Sequence, residues 1–432
     1  MIENRVVKNA SWIIVAQIFR VIFSIIVSSL TARYLGPSDF GVLNYAMSLV
    51  SFLIPIMQLG FSAIIVKELI SNPEEEGKIL GTAILGNFIS GILCVIGLII
   101  FVNVYNHGEN TLILVTSLYS MVLIVESFSI ISFWFQAKLL SKYTSLVTLF
   151  AYVVVSIYKI VLLVLGKSVV WFSIANVLDY LLINSFLFII YKRKSQNKLS
   201  FSFKIFKRMF SASKYYIFTG IMVTIFLQTD RIMIKNLLGD EATGLYSVCI
   251  SCATMTSFFF AAIIDSARPI IFENRKRNIE LFNNNITYLY GIIIYLCIAQ
   301  NIVVSIFSKL IIWLLYGDSY LVAAPALSVL IWYTLFSYVG SVRNVWLLAE
   351  NKSKYIVIID SVGAIFNIFA NFIFIKYMGI MGAALASVCT QFISNIVVVS
   401  LIKDSRINVK LILKSLNPVF LFKQTKLFLN RK

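Results

Sequence analysis

Twelve apolar runs, each long enough to cross a bilayer as a helix, dominate this 432-residue chain. They cover residues 10–31, 40–66, 79–102, 111–135, 145–165, 169–191, 215–238, 244–267, 287–307, 323–349, 355–375 and 379–402. A helix needs about 20 apolar residues to span the hydrocarbon core. Spans packed this closely along a chain must be helices, because lipid offers no partner to an unpaired backbone N–H or C=O. The expected fold is therefore an all-α polytopic membrane protein. Composition agrees: 13% of residues are charged, where a soluble domain carries roughly 25%. The first run is too long for a signal-peptide core and has no small-residue cleavage pattern behind it, so it reads as a retained span.

The formal charge of +18 would suggest nucleic acid in a soluble protein, but its placement points to membrane topology instead. Of the 37 Lys and Arg, 28 fall in the amino terminus, the even-numbered loops and the carboxyl tail, while the odd loops hold 4 and the spans 5, one of these, Lys235, at a span end. The positive-inside rule then places both termini in the cytoplasm, as an even number of spans requires. Basic residues concentrate in 192–214 and 403–432, each with apolar residues at helical spacing, which reads as helix lying on anionic headgroups.

A repeat divides the chain. Leu35-Gly36 followed by Gly41 recurs as Leu238-Gly239 followed by Gly244, a constant offset of 203 residues. The expected organisation is an N-lobe over 1–191 with spans 1–6, a basic cytoplasmic linker over 192–214, a C-lobe over 215–402 with spans 7–12, and a basic amphipathic tail over 403–432. Halves with even span counts enter the membrane in the same orientation, so a pseudo-two-fold along the membrane normal relates them, with the substrate path between. Gly36, Gly41, Gly239 and Gly244 read as structural turn residues that permit positive φ. Pro55 and Pro325, inside spans 2 and 10, are candidate kinks.

Besides Lys235 near the end of span 7, nine ionisable side chains fall inside spans: Arg20, Glu126, Lys159, Asp179, Asp230, Arg231, Asp265, Arg343 and Asp360. A charge at a helix centre costs about 3 kcal/mol on insertion scales. Nine facing lipid would cost on the order of 25 kcal/mol, beyond the usual net stability of a fold. Those at mid-depth must therefore face the protein interior. Arg20, Arg231, Arg343 and Lys159 are the candidate ligands for a phosphate or diphosphate group, arginine through its planar fork. Glu126, Asp179, Asp230 and Asp360 are the candidate sites for a coupling proton or sodium ion. The same charges would also serve as packed ion pairs between helices. With His107 the sole histidine, imidazole triads and histidine metal sites are not expected. Cys249 and Cys252 lie one turn apart in an apolar run and read as packing residues. No metal and no cofactor is expected.

The segment from Ala32 to Gly41, Ala-Arg-Tyr-Leu-Gly-Pro-Ser-Asp-Phe-Gly, carries a family resemblance. So do Gln228-Thr229-Asp230-Arg231-Ile232-Met233-Ile234 through Gly244-Leu245-Tyr246, and Leu315-Tyr316-Gly317-Asp318-Ser319-Tyr320. Over essentially its whole length the chain resembles the polysaccharide-transport flippases of the multidrug/oligosaccharidyl-lipid/polysaccharide (MOP) exporter superfamily, and within them the Wzx-type O-antigen or capsule repeat-unit flippases. The resemblance implies a non-enzymatic function in a bacterial inner membrane. That function is moving an undecaprenyl-diphosphate-linked oligosaccharide from the cytoplasmic to the periplasmic leaflet by alternating access. It implies a monomer with lipid and lipid-linked glycan as partners, possible polymerase and chain-length regulator contacts, and no nucleic acid. Peptidoglycan-precursor flippases often carry two further spans, so the short tail disfavours that assignment. The competing readings are a cation-coupled drug or small-molecule exporter and a glycan polymerase or ligase; the latter usually needs a large odd loop, and here the odd loops are short.

Overall fold

The computed structural model describes residues 2–195 and 197–429. Met1, Gln196 and residues 430–432, parts of the expected N-lobe, linker and tail, lie outside them. The described residues form helices and connecting turns and contain no β-strand. They divide into two compact units, one of residues 1–235 with 239–244, the other of 236–238 with 245–432.

The first unit begins with α1 (Ile2–Met57), broken at Gly36, whose φ of 72° lies outside helical space. Beyond α1, Leu59 and Gly60 both take positive φ, so the second span ends at Met57 rather than at residue 66 as expected. A short α2 (Ile65–Ser71) leads to α3 (Glu76–Tyr105). Next come α4 (Asn110–Ser120), α5 (Val122–Glu126), a 3₁₀ turn over Ser127–Ser129 and α6 (Ile130–Ala137), so one apolar run becomes a chain of short helices. The helices α7 (Ser141–Val164), α8 (Val169–Lys194) and α9 (Phe203–Leu238) follow. Helix α1 packs on α7 and α4, and α8 on α7 and α4. Their core joins Tyr45, Val50, Met57, Leu123 and Phe172, with a second cluster around Phe61, Ile131, Phe135 and Met209.

Helix α9 belongs to the first unit as far as Lys235. Its side chains explain why. Ser213 Oγ donates to the Leu59 carbonyl at 2.7 Å. Gly220 leaves room for Pro55, which would contact a Cβ placed there at 2.8 Å. Ser48 Oγ donates to Gln228 Oε1 at 2.9 Å. The packing boundary accordingly falls at residues 235–245, whereas the sequence suggested 192–214. The two breakers Pro55 and Gly220 also meet: glycine on one helix receives proline on the other, a small-residue contact of the kind that lets membrane helices approach.

The second unit contains α10 (Asp240–Thr254) from Leu245 onward, α11 (Ser257–Arg277), α12 (Ile279–Ile306), α13 (Ser308–Tyr316), α14 (Ala324–Leu330), α15 (Tyr333–Ala349) and α16 (Lys354–Phe392). Helix α16 is interrupted at Gly379, φ 58°, and runs into a π-helical turn over Ile393–Val398. The short α17 (Val399–Leu401), α18 (Ile407–Ser415) and α19 (Pro418–Leu429) complete it. Phe260, Phe282, Tyr290, Ile293, Trp346 and Ile359 form its core. The basic tail is docked here: Tyr290 donates to Asn408 at 2.9 Å, Tyr295 to the Leu416 carbonyl at 2.9 Å, and Gly291 leaves room for Leu421.

Apolar stripes remain uncovered. On α3, Leu93, Ile96, Ile100 and Val104 recur at helical spacing and all are exposed, a face that suits lipid and not water. Among the described residues, nine helical stretches are long and apolar enough to cross a membrane, or ten if the pair Asp318–Leu330 and Tyr333–Ala349, bent by 42°, counts as one. This is fewer than the twelve runs expected. One physical reason is that Phe19–Met57 and Lys354–Leu401 each continue through a left-handed glycine.

Candidate functional site

Four of the eight candidate charges converge inside the first unit. Lys159 of α7 donates to Asn176 Oδ1 of α8 at 3.0 Å. Both Lys159 and Arg20 of α1 lie within electrostatic reach of Asp179, one turn along α8 from Asn176. Glu126 is held by Ser129 and Asn184, and Asn184 Nδ2 also donates to the Val125 carbonyl at 3.0 Å. Tyr152 completes the cluster, touching Ser24 and Ser156 and lying near Arg20. Local backbone chemistry builds it: Glu126 ends α5 at the start of the 3₁₀ turn, and 3₁₀ interruptions commonly mark functional hinges.

Arg20 is exposed within this cluster, while Asp179 keeps one carboxylate oxygen buried and without a hydrogen bond. The result is a mixed-charge surface, two cations beside two carboxylates, with polar amides between. Such a surface can receive an anionic headgroup at the cations and exchange a small cation at the carboxylates. Asn176 and Asn184 were not singled out in the sequence. Their signal was there: 176, 179–180 and 184 form a polar stripe at helical spacing along α8.

The adjacent pair Asp230 and Arg231 sits on α9, apart from that cluster. Asp230 is buried, and Arg231 Nη1 donates to Gln228 Oε1 at 3.2 Å, the oxygen that also receives Ser48. One turn on, Lys235 is buried and bonded to Glu109 and, at 2.9 Å, to Asp240. Neither Lys235, near the end of an apolar run, nor Glu109 stood out in the sequence; only the fold joins α9 to the turn before α4.

The four turn glycines divide into two kinds. Gly36 and Gly239 have positive φ, 72° and 92°, with open space around them. Gly41 and Gly244 do not, which corrects the expectation that they too are turn residues. They are helical, and a Cβ on Gly41 would collide with the Asp240 carbonyl, while one on Gly244 would collide with the Pro37 carbonyl. The contact is reciprocal: residues 37 and 240, like 41 and 244, differ by the repeat offset of 203. Small residues are needed because two helix backbones touch.

The second unit holds Arg343 and Asp360. Arg343 is 2% exposed. Its Nη1 donates to Asn395 Oδ1 at 2.8 Å, its Nη2 to Asn344 Oδ1 at 2.7 Å, and Asp360 lies 3.8 Å away. Asn395 is presented by the π-helical turn and anchored to Gln391 at 2.7 Å. Arg343, expected to hold substrate phosphate, is thus enclosed by amides and one carboxylate. Among the described residues no group of three His, Cys, Asp or Glu converges. Cys249 donates to the Ala323 carbonyl at 3.3 Å as a packed thiol.

The helical architecture is one shared with solved membrane transporters. The fold matches the structure titled lipid II flippase MurJ, inward closed conformation, with TM-score 0.73 at 18% identity over 95% of this chain and 92% of that one. It also matches a multidrug resistance MATE family transporter of the MOP superfamily, with TM-score 0.69 at 14% identity over 91% and 96%. A family model described as polysaccharide biosynthesis protein matches residues 6–275, and the chain belongs to that family. It is 22% identical to the capsular polysaccharide biosynthesis protein CapF of Staphylococcus aureus over 90% of this chain and 97% of CapF. It is 20% identical to a Shigella flexneri protein named as an O-antigen transporter, over 88% and 94%. An uncharacterized membrane protein of Methanocaldococcus jannaschii is 26% identical over 47% of this chain, a match that spans 41% of that relative's length. The resemblance to polysaccharide-transport flippases read from the sequence therefore holds.

Proposed function

We propose that this chain flips an undecaprenyl-diphosphate-linked oligosaccharide, an O-antigen or capsule repeat unit, from the cytoplasmic to the periplasmic leaflet by alternating access. It acts as a transporter rather than an enzyme, in a bacterial inner membrane, with twelve spans and both termini cytoplasmic. The supporting observation is the exposed Arg20, which shares Asp179 with Lys159 in the first unit. An exposed guanidinium at mid-span is costly in lipid and useful to a diphosphate, which it can grip bidentately. Glu126 and Asp179 supply carboxylates for a coupling proton or sodium ion. Family membership and the CapF and O-antigen transporter relatives support the glycan class of substrate.

The test uses cells lacking the gene with the rest of the polysaccharide pathway intact. Diphosphate-linked repeat units are scored by their accessibility to an added glycosidase in spheroplasts. Wild type is expected to expose them, Arg20→Ala at equal expression to leave them inside, and Arg20→Lys to restore part of the exposure. Units that reach the outer leaflet without this gene, in a strain with no second flippase, overturn the reading in favour of small-molecule export.

A further inference from the structure

Helix α18 of the carboxyl tail presents three strips to three different surroundings. Residues three, four and seven apart share a helix face. Asn408, Leu411, Ile412 and Ser415 form the buried strip. Leu413 and Leu416, both exposed, continue the half-buried Val409 along a second, apolar strip. Arg406, Lys410 and Lys414 form a third, exposed and basic, with Lys403 in the turn before it. Asp404, the only acid from Lys403 to Lys432, is engaged by Tyr355 and, at 3.8 Å, by Lys352.

The buried strip fixes the roll of the helix. Asn408 Oδ1 accepts from Tyr290 at 2.9 Å, and Leu411 and Ile412 join the core of the second unit. The two exposed strips therefore keep set directions along α12. On the basic strip, Lys414 donates to Asn284 at 3.1 Å, near the start of α12 and outside the apolar run 287–307. On the apolar strip, the Leu416 carbonyl accepts from Tyr295 at 2.9 Å, three turns farther along α12, about 16 Å. Tyr295 and Leu296 are themselves exposed on a helix long and apolar enough to cross the membrane. Cations thus lie toward the end of the span and leucines toward its middle, as on a helix that rests in the membrane surface.

We infer that α18 is an interfacial helix whose basic strip binds the headgroups of anionic phospholipids while Leu413 and Leu416 enter the acyl boundary. This contact is independent of the cargo and goes beyond the flippase reading. Within the basic tail read from the sequence, it singles out one strip of one helix. Charge selects the partner. A zwitterionic bilayer would satisfy Leu413 and Leu416 but leave the basic strip without counter-charge, whereas each Lys or Arg beside anionic headgroups strengthens binding by about fivefold.

The full chain would be placed in nanodiscs of phosphatidylcholine alone, or of equal parts phosphatidylcholine and phosphatidylglycerol, and amide hydrogen exchange followed over residues 407–415. Exchange there should be about tenfold slower with phosphatidylglycerol, because opening α18 must also detach it from the headgroups. Lys403→Gln combined with Lys410→Gln, both at exposed positions, should remove most of that difference and leave exchange in phosphatidylcholine unchanged. Leu413→Gln should instead speed exchange in both lipids alike, because the apolar strip does not read charge. Equal exchange of the wild type in the two lipids, a full difference surviving in the double variant, or an unchanged rate in Leu413→Gln overturns the inference. So does protection that grows with the number of chains per disc and not with phosphatidylglycerol, which assigns the face to a second copy of this chain.

Discussion

Arg20 and Arg343 are both arginines in apolar runs, and the sequence made both candidate phosphate ligands, Arg20 at mid-span and Arg343 nearer a span end. The structure separates them. Arg20 is exposed beside a lysine, a carboxylate and a tyrosine. Arg343 is enclosed by Asn395, Asn344 and Asp360. A buried guanidinium must have its donors met within the protein, and once they are met it acts as a clamp between helices. An exposed one keeps donors for a ligand. Enclosure by neighbours, not residue type, separates a packing charge from a binding charge.

The largest effect should come from Arg343. Arg343→Ala leaves the buried Asn395 amide oxygen without its donor and the half-buried Asp360 without its cation, and should cost about 3–5 kcal/mol, read by denaturant unfolding of the detergent-solubilised chain. Arg20→Ala should change stability by only about 0.5 kcal/mol while losing transport. Equal stability losses for the two would break the comparison.

The same contrast between enclosed and open positions applies to glycine. Gly41→Ala and Gly244→Ala force a Cβ into a backbone carbonyl and should cost about 1–3 kcal/mol each. Gly239→Ala meets no neighbour and should cost only the left-handed strain, about 1–2 kcal/mol. The comparison sharpens if the larger side chain of Gly244→Leu abolishes folding whereas Gly239→Leu behaves like Gly239→Ala in melting experiments.

The smallest effect is expected at a carboxylate outside the spans. The Tyr355 hydroxyl donates to Asp404, and this holds the Asp404 carboxyl below its usual range, with Lys352 assisting. Because the folded value is lowered, the contribution is present above the unfolded value near about 4 and is lost as pH falls through the folded one. Tyr355→Phe should therefore lower the melting temperature slightly at pH 7 and leave it unchanged at pH 2. A loss of equal size at both pH values would assign Tyr355 to packing.

Much of the fold was legible because its signals are local. Apolar runs of span length mark membrane helices wherever they fall, and the 203-residue offset exposed an internal repeat. The clustering of Arg20, Lys159, Glu126 and Asp179 was only half legible. Each cost too much to face lipid, so each had to point inward, and the expected lobes put these four in one half and Arg343 and Asp360 in the other, but nothing in the spacing said that the four would meet or that Arg343 and Asp360 would pair. Glu109 and Lys235 were missed for the same reason: 126 residues separate them, and neither lies in the middle of an apolar run.

By itself the sequence determined the solvent of this protein, its helical class and the inventory of charges that lipid will not tolerate. Those follow from transfer free energies, which depend on composition and run length alone. Only the tertiary structure decided which charges are enclosed and which stay open, that Gly41 and Gly244 are a contact rather than a pair of turns, and that α9 packs with the first unit up to Lys235. Those depend on which helices become neighbours, and close packing is a property of pairs of surfaces that one strand of sequence does not encode locally.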